Sequence, residues 1–270
     1  MLQSLVTALL IFVAQHAAAG PKAELWETWA AHDPQSTAQI DHSSWQQFLN
    51  RYLVGDAEPR LLRYAAVTEA DKNALDAYLL ALQQTPIAEY SRKVQKAYWI
   101  NFYNAATVQL ILDNWPVTSI TKIKPHLFAF GPWDMKQWSV MGEELSLNDI
   151  EHRILRPIWQ DPRIHYAVNC ASLGCPSLAT QAYTADELDA MLDASAKRFV
   201  NAPRGVRFED GELFVSTIYK WFRDDFGGSE AQVIEHLRQY AEPPLEQSLS
   251  KVEDIDGYGY DWSINAATSP

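Results

Sequence analysis

Both cysteines of this 270-residue chain fall in one stretch, HYAVNCASLGCPSL at 165–178, with Cys170 and Cys175 five positions apart and His165 five before the first. Those residue types at that spacing allow three chemistries: a short disulfide clamp, a metal site, or a nucleophile with its base. A bridge closing so small a loop removes little freedom from the unfolded chain and stabilises less than a long-loop bridge. Zinc favours cysteine and histidine but wants four ligands in close-spaced pairs, and no histidine pair stands nearby at such a spacing. We read no metal and no cofactor here.

Nucleophilic catalysis needs a thiolate, a base within hydrogen-bond reach and a group that orients the base. Cys170 opens the turn CASLG, where Asn169 can act as a cap. Free backbone N–H groups in such a turn lower a thiol's pKa and can serve as an oxyanion hole. Cys175 is held by Pro176 and reads as the structural member. His165 is the nearest base, but on a regular strand it would face away from Cys170, roughly 16 Å along, so a bulge must intervene. His152, beside Glu151 on a preceding helix, and His126, in a loop near Pro125, compete with it, whereas His32, His42 and His236 read as ordinary surface or helix residues.

Helices dominate the elements that must position these groups in the first half of the chain. Thr68, with Asp71 three residues on, caps a helix with Leu75, Leu79 and Leu82 on one face. Ser91 opens a longer helix that stops before Pro116 and is apolar nearly all round from Ala97 to Leu112, so it runs through the middle of the fold. Asn101 and Asn104 lie on it, and a buried amide left unpaired costs about 1–3 kcal/mol. Each either ties a loop to the core or serves the site. Farther along, a hairpin turns at Gly142, Ser146 and Asp149 cap the helix carrying Glu151 and His152, RIHYAVNC alternates as a strand, and Asp210-Gly211 tips a second hairpin. Ser216 then caps a helix that Gly227-Gly228 ends. The expected fold is α+β, a helix-rich single domain with a small antiparallel sheet. A helical extension occupies 20–60 and the domain itself 61–266.

Composition narrows the partners. The opening residues MLQSLVTALLIFVAQHAAAG carry an apolar run, Leu5 to Ala14, too short to span a bilayer, followed by Ala17-Ala18-Ala19. That plan is a signal peptide over 1–19, which predicts a periplasmic or secreted protein with no membrane insertion after cleavage. An apolar fraction of 47% fills a real core, and the formal charge of −12 excludes nucleic acid and anionic lipid as partners.

At the level of motifs, AYWINFYNAAT, LSLNDIEHRILR, RIHYAVNCASLGCPSL, YKWFRDDFGG and YGYDWSIN follow one another between about residue 90 and 265. In these blocks the sequence resembles the family known as domain of unknown function 547. The resemblance implies a papain-like or transglutaminase-like fold, with Cys170, His165 and Glu151 at the family's signature positions. The second cysteine position is often serine in relatives, which weighs against an obligatory clamp. The leading expectation for activity is an exported thiol-dependent hydrolase or acyl transferase acting on an amide or thioester, its substrate a small peptide, a peptidoglycan stem or an acyl thiol. Cys170 attacks, His165 takes and returns the proton, Glu151 orients the imidazole, and Asn101 or Asn169 polarises the carbonyl. The alternative is a non-catalytic periplasmic binding or scaffold protein with a Cys170–Cys175 disulfide and a packed His165. A redox-active dithiol is a third reading.

Overall fold

The structure is a computed structural model describing residues 20–127 and 129–267. The expected signal peptide, residues 1–19, lies outside the described residues. At the centre stands α3 (Arg92–Asp113), buried almost without interruption from Val94 to Val108. A helix apolar on every side can satisfy its surface only by being enclosed. Against it packs α2 (Glu69–Gln83), started by Thr68, whose hydroxyl accepts from the Asp71 N–H, and α1 (Ser43–Tyr52) packs in turn on α2. The hairpin β3 (Trp138–Val140) and β4 (Glu143–Leu145) turns through Met141 and Gly142, both at positive φ. Among the described residues no helix is long and apolar enough to cross a membrane.

Beyond this first layer the chain builds a second apolar cluster around Tyr166, Phe199, Leu213, Val215, Tyr219 and Leu237. It collects α6 (Leu188–Val200), α7 (Ile218–Trp221), α8 (Glu230–Tyr240), α9 (Pro243–Leu249) and a three-stranded sheet. In that sheet β5 (Val206–Glu209) and β6 (Glu212–Ser216) form the expected hairpin over Asp210-Gly211, and β7 (Gly257–Gly259) joins β6 in parallel. The result is the expected helix-rich α+β domain with small, mainly antiparallel sheets.

One local expectation gives way. Residues 164–167 form not a strand but a helical turn, α5 (Ile164–Ala167), followed by extended Val168. Asp161 and Pro162 start it: Asp161 Oδ1 accepts from the Arg163 N–H at 3.0 Å, and proline supplies a helical φ where no N–H is needed. The alternation of Ile164, Tyr166 and Val168 records instead that the whole segment, 164 to 169, is buried on all sides. Within residues 20–60, Trp29, Trp45, Phe48, Leu49 and Tyr52 belong to the main core, and β1 (Leu53–Val54) pairs with β2 (Leu61–Leu62).

Candidate functional site

The loop 168–176 lies where the two apolar clusters meet, and buried amides define its path. Asn104 on α3 donates to Ala167 O at 2.9 Å and accepts from the Asn169 N–H at 2.8 Å, clamping the chain on either side of Val168. Asn169 accepts from the Ala171 N–H at 2.9 Å and donates to Pro176 O at 2.8 Å. Ala171 thereby takes a φ of 60°, an uncommon conformation for a residue with a side chain. The closing segment of the chain runs along the outside of the loop: Leu173 and Gly174 donate to Ser263 O and Asp261 O at 2.8 Å each, and Asn265 donates to Ala171 O at 3.0 Å. Gly174 permits that approach, since a Cβ there would stand 2.7 Å from Asp261 N.

At the head of this loop Cys170 is partly exposed and Cys175 buried, and neither is bridged. The two sulfurs are 2.8 Å apart, above the roughly 2.05 Å of a disulfide bond. Cys170 Sγ also lies 3.0 Å from the Tyr260 hydroxyl and 3.2 Å from Ser172 Oγ, and the two hydroxyl oxygens are 2.9 Å apart. Burial disfavours a thiolate here, yet the hydrogen bonds from Cys175, Ser172 and Tyr260, with the Ser172 backbone, outweigh it and hold the Cys170 thiol below its ordinary value. Burial, then the hydrogen bond and charge of Cys170, push the Cys175 thiol well up. The same two influences keep Tyr260 a phenol and therefore a donor.

The imidazoles stand elsewhere. Neither His165 nor His152 is among the hydrogen-bond partners of Cys170. His165 Nε2 is 2.7 Å from Asp225 Oδ2, its Nδ1 is 3.7 Å from Glu151, and its ring stacks on Phe222 at 4.4 Å. Arg156 completes the group, donating to Asp225 from Nε at 2.5 Å and lying 3.0 Å from His152 Nδ1. Although burial opposes it, the pairing with His165 and Arg156 keeps the Asp225 carboxyl far below the ordinary carboxylate range. His152, buried and close to Arg156, is lowered to about 4. The structure thus sets Glu151 Oε1 3.7 Å from His165 Nδ1 and spends the imidazole on Asp225 instead of on the thiol.

A wide turn of helix lets so many polar groups share one interior. Residues Asp149–Leu155 form a π-helical segment, in which the Arg156 N–H donates to Glu151 O five residues back. Such segments are rare and concentrate where side chains must be re-aimed. Glu151 and His152 both turn inward here, with 3.9 Å between Oε1 and Nδ1. Tyr103 on α3 is buried, and burial, then the charges of Glu151, Cys170 and Cys175, push its hydroxyl well up.

Neither predicted carbonyl donor is free. Asn101 donates to Tyr183 O at 2.8 Å and accepts from the Tyr183 N–H at 2.9 Å, and Asn169 is committed to the loop itself. The Cys170 N–H points at Cys175 Sγ, 2.9 Å away, so it is no open oxyanion donor either. His126 is exposed, whereas His42 and His236 are buried and lie 2.7 and 2.9 Å from Tyr78 and Tyr166 hydroxyls. Sequence reasoning missed Tyr260, Ser172, Asp225 and Arg156. Tyr260 and Asp225 both sit inside the quoted blocks YGYDWSIN and YKWFRDDFGG, which is the signal that held them. Among the described residues no three or more His, Cys, Asp or Glu side chains gather where they would hold a metal ion.

From Ile87 through Val200 the chain therefore supplies α3, the π segment, α5 and the whole cysteine loop. Residues 87–200 match the family model "Protein of unknown function, DUF547". Within the DUF547 stretch lie Asn101, Asn104, Glu151, His152, His165, Cys170 and Cys175, whereas Asp225 and Tyr260 come from outside it. No curated protein and no solved structure matches the chain.

Proposed function

We propose that this chain is an exported thiol-dependent acyl transferase or hydrolase whose nucleophile is Cys170. The observation that carries the reading is the ring of donors around one partly exposed sulfur: Cys175 at 2.8 Å, Tyr260 at 3.0 Å and Ser172 at 3.2 Å. A thiolate is the nucleophilic form, and hydrogen bonds to it favour ionisation without any imidazole. The apolar run near the start of the sequence supports export.

Chemistry then selects the substrate bond. An amide's leaving amine must be protonated as it departs, the task an imidazolium performs in papain-like enzymes, and among the described residues no ring nitrogen is hydrogen-bonded to this sulfur. A thioester's leaving group departs as a thiolate and needs no acid. The Cys170 thiolate adds to the thioester carbonyl, the substrate's carbon–sulfur bond breaks with its electron pair on the departing sulfur, and an acyl-Cys170 remains. Water, or an acceptor thiol, adds to that acyl group and releases it, and Cys170 leaves as the thiolate again; with water the product is a carboxylate and two protons pass to solvent, and with a thiol the product is a new thioester and one proton does. Once sulfur has bonded to carbon, Tyr260 and Ser172 lose their acceptor and become free to donate to the oxyanion. This reading supersedes the base role given to His165 and the polarising role given to Asn101 and Asn169. A kinship with papain-like enzymes forms no part of it.

The 2.8 Å between two unbridged sulfurs also favours a second reading, dithiol–disulfide exchange with Cys175 as the resolving thiol. One experiment separates them. Intact mass measured after incubation with an acetyl thioester is expected to show one acetyl group on wild type and on Cys175→Ser, where a hydroxyl replaces the lost donor, and none on Cys170→Ser. Failure of wild type to form an adduct at Cys170 would sink the acyl-transfer reading.

A further inference from the structure

Aromatic side chains crowd beside the reactive sulfur on the surface of a fold whose other large apolar groups are mostly enclosed. Tyr260, whose hydroxyl is 3.0 Å from Cys170 Sγ, packs against Trp262 at 4.6 Å and Trp221 at 4.8 Å between ring centres. Trp262 continues the series to Trp133 at 5.7 Å and to Phe130 at 5.3 Å. Tyr260, Trp262, Trp221 and Trp133 are half-buried, and Phe130 is 67% exposed. An apolar patch of this kind left open to water marks a binding surface more often than an accident of packing.

We propose that this strip is the acyl subsite of the enzyme, taking an unbranched aliphatic acyl group whose carbonyl carbon sits at Cys170. The inference rests on the thioester reading above and names the group being transferred. Three features select an aliphatic chain. The strip is continuous with the nucleophile through Tyr260, so whatever covers it is attached to the reacting carbon. Its rings carry no charge, which disfavours a carboxylate or ammonium along its length. Phe130 and Trp133 stack at 23°, but the ring of Trp262 meets them at 88° and 66°, so together they make an apolar corner and not one flat plate on which a sugar or a base would stack. Two steps, 4.6 Å from Tyr260 to Trp262 and 5.3 Å on to Phe130, set a length of several methylenes.

The test is a series of thioesters of one small thiol carrying acetyl, butanoyl, hexanoyl and octanoyl groups, assayed with the full chain for kcat/KM. The expected result is a rise of about two- to fourfold per added methylene, the range for half to full burial of a CH2 group. Phe130→Ala, at a position 67% exposed, is expected to compress the ratio of octanoyl to acetyl rates. Fluorescence of the strip's tryptophans in Cys170→Ser gives a second readout without turnover: quenching or blue shift with the octanoyl thioester and none with the acetyl one. A flat series with acetyl still transferred to Cys170, or a ratio untouched by Phe130→Ala, overturns the subsite and leaves the thioester reading standing. Absence of transfer from every member overturns that reading and this inference with it.

Discussion

Replacing Tyr260 by Phe deletes one oxygen and keeps the ring that packs on Trp221 and Trp262. The deleted hydroxyl stands 3.0 Å from Cys170 Sγ. A hydrogen bond to a charged group contributes about 1.5–3 kcal/mol, and 1.36 kcal/mol corresponds to about one pKa unit, so the thiolate loses stabilisation equal to about one to two units. The assay is the rate of alkylation by iodoacetamide across pH, which tracks the thiolate. Wild type is expected to show a midpoint below the free value of about 8.5. In Tyr260→Phe the midpoint climbs by about one to two pH units, and alkylation near neutrality slows up to about tenfold for each. The sign follows from the direction of the wild-type displacement. A thiol held below its free value stabilises the fold above the free value and loses that contribution as pH falls through the folded one. Tyr260→Phe should therefore cost stability at alkaline pH and little in acid. An unchanged midpoint in a folded variant would refute the claim that donors, and not an imidazole, make this sulfur an anion.

Three further outcomes test the surrounding argument. His165→Ala strips Asp225 and Glu151 of a buried partner, and breaking such a pair costs about 3–5 kcal/mol, so the melting temperature falls while the alkylation midpoint stays in place; a midpoint that rises with it would return His165 to the role of base. Asn104→Ala leaves Ala167 O and the Asn169 N–H unpaired, at about 1–3 kcal/mol each, which thermal unfolding should register as a drop of roughly 4–20 °C. His42, His152 and His236, each lowered by burial to about 4, are neutral in the fold and charged in the unfolded chain between about 4 and 6.5. Stability should then decline as pH falls from 6.5 to 4, by on the order of 1–3 kcal/mol per histidine, in urea titrations at each pH.

Local chemistry explains what was legible in the sequence. Thr68 and Asp71 are three apart and cap each other's turn, Asp210-Gly211 prescribes its own hairpin, and a helix apolar on every side from Ala97 to Leu112 has nowhere to go but the interior. Cys170 stood out because both sulfurs share one turn whose Asn169 cap is read from adjacent residues. The partners of that sulfur were not legible in the same way. Tyr260 lies 90 residues beyond Cys170, and Asp225 lies 60 beyond His165, so neither pairing has a sequence period to announce it. Tertiary packing brought the closing segment against the cysteine loop and the Arg223–Phe226 turn against the imidazole, and so decided that His165 would serve a buried ion cluster while a phenol took the place beside the thiol. Residue types and spacing determined which atoms had chemistry to offer. Only the folded chain, by choosing what lay within about 3 Å of each, decided which chemistry they could perform.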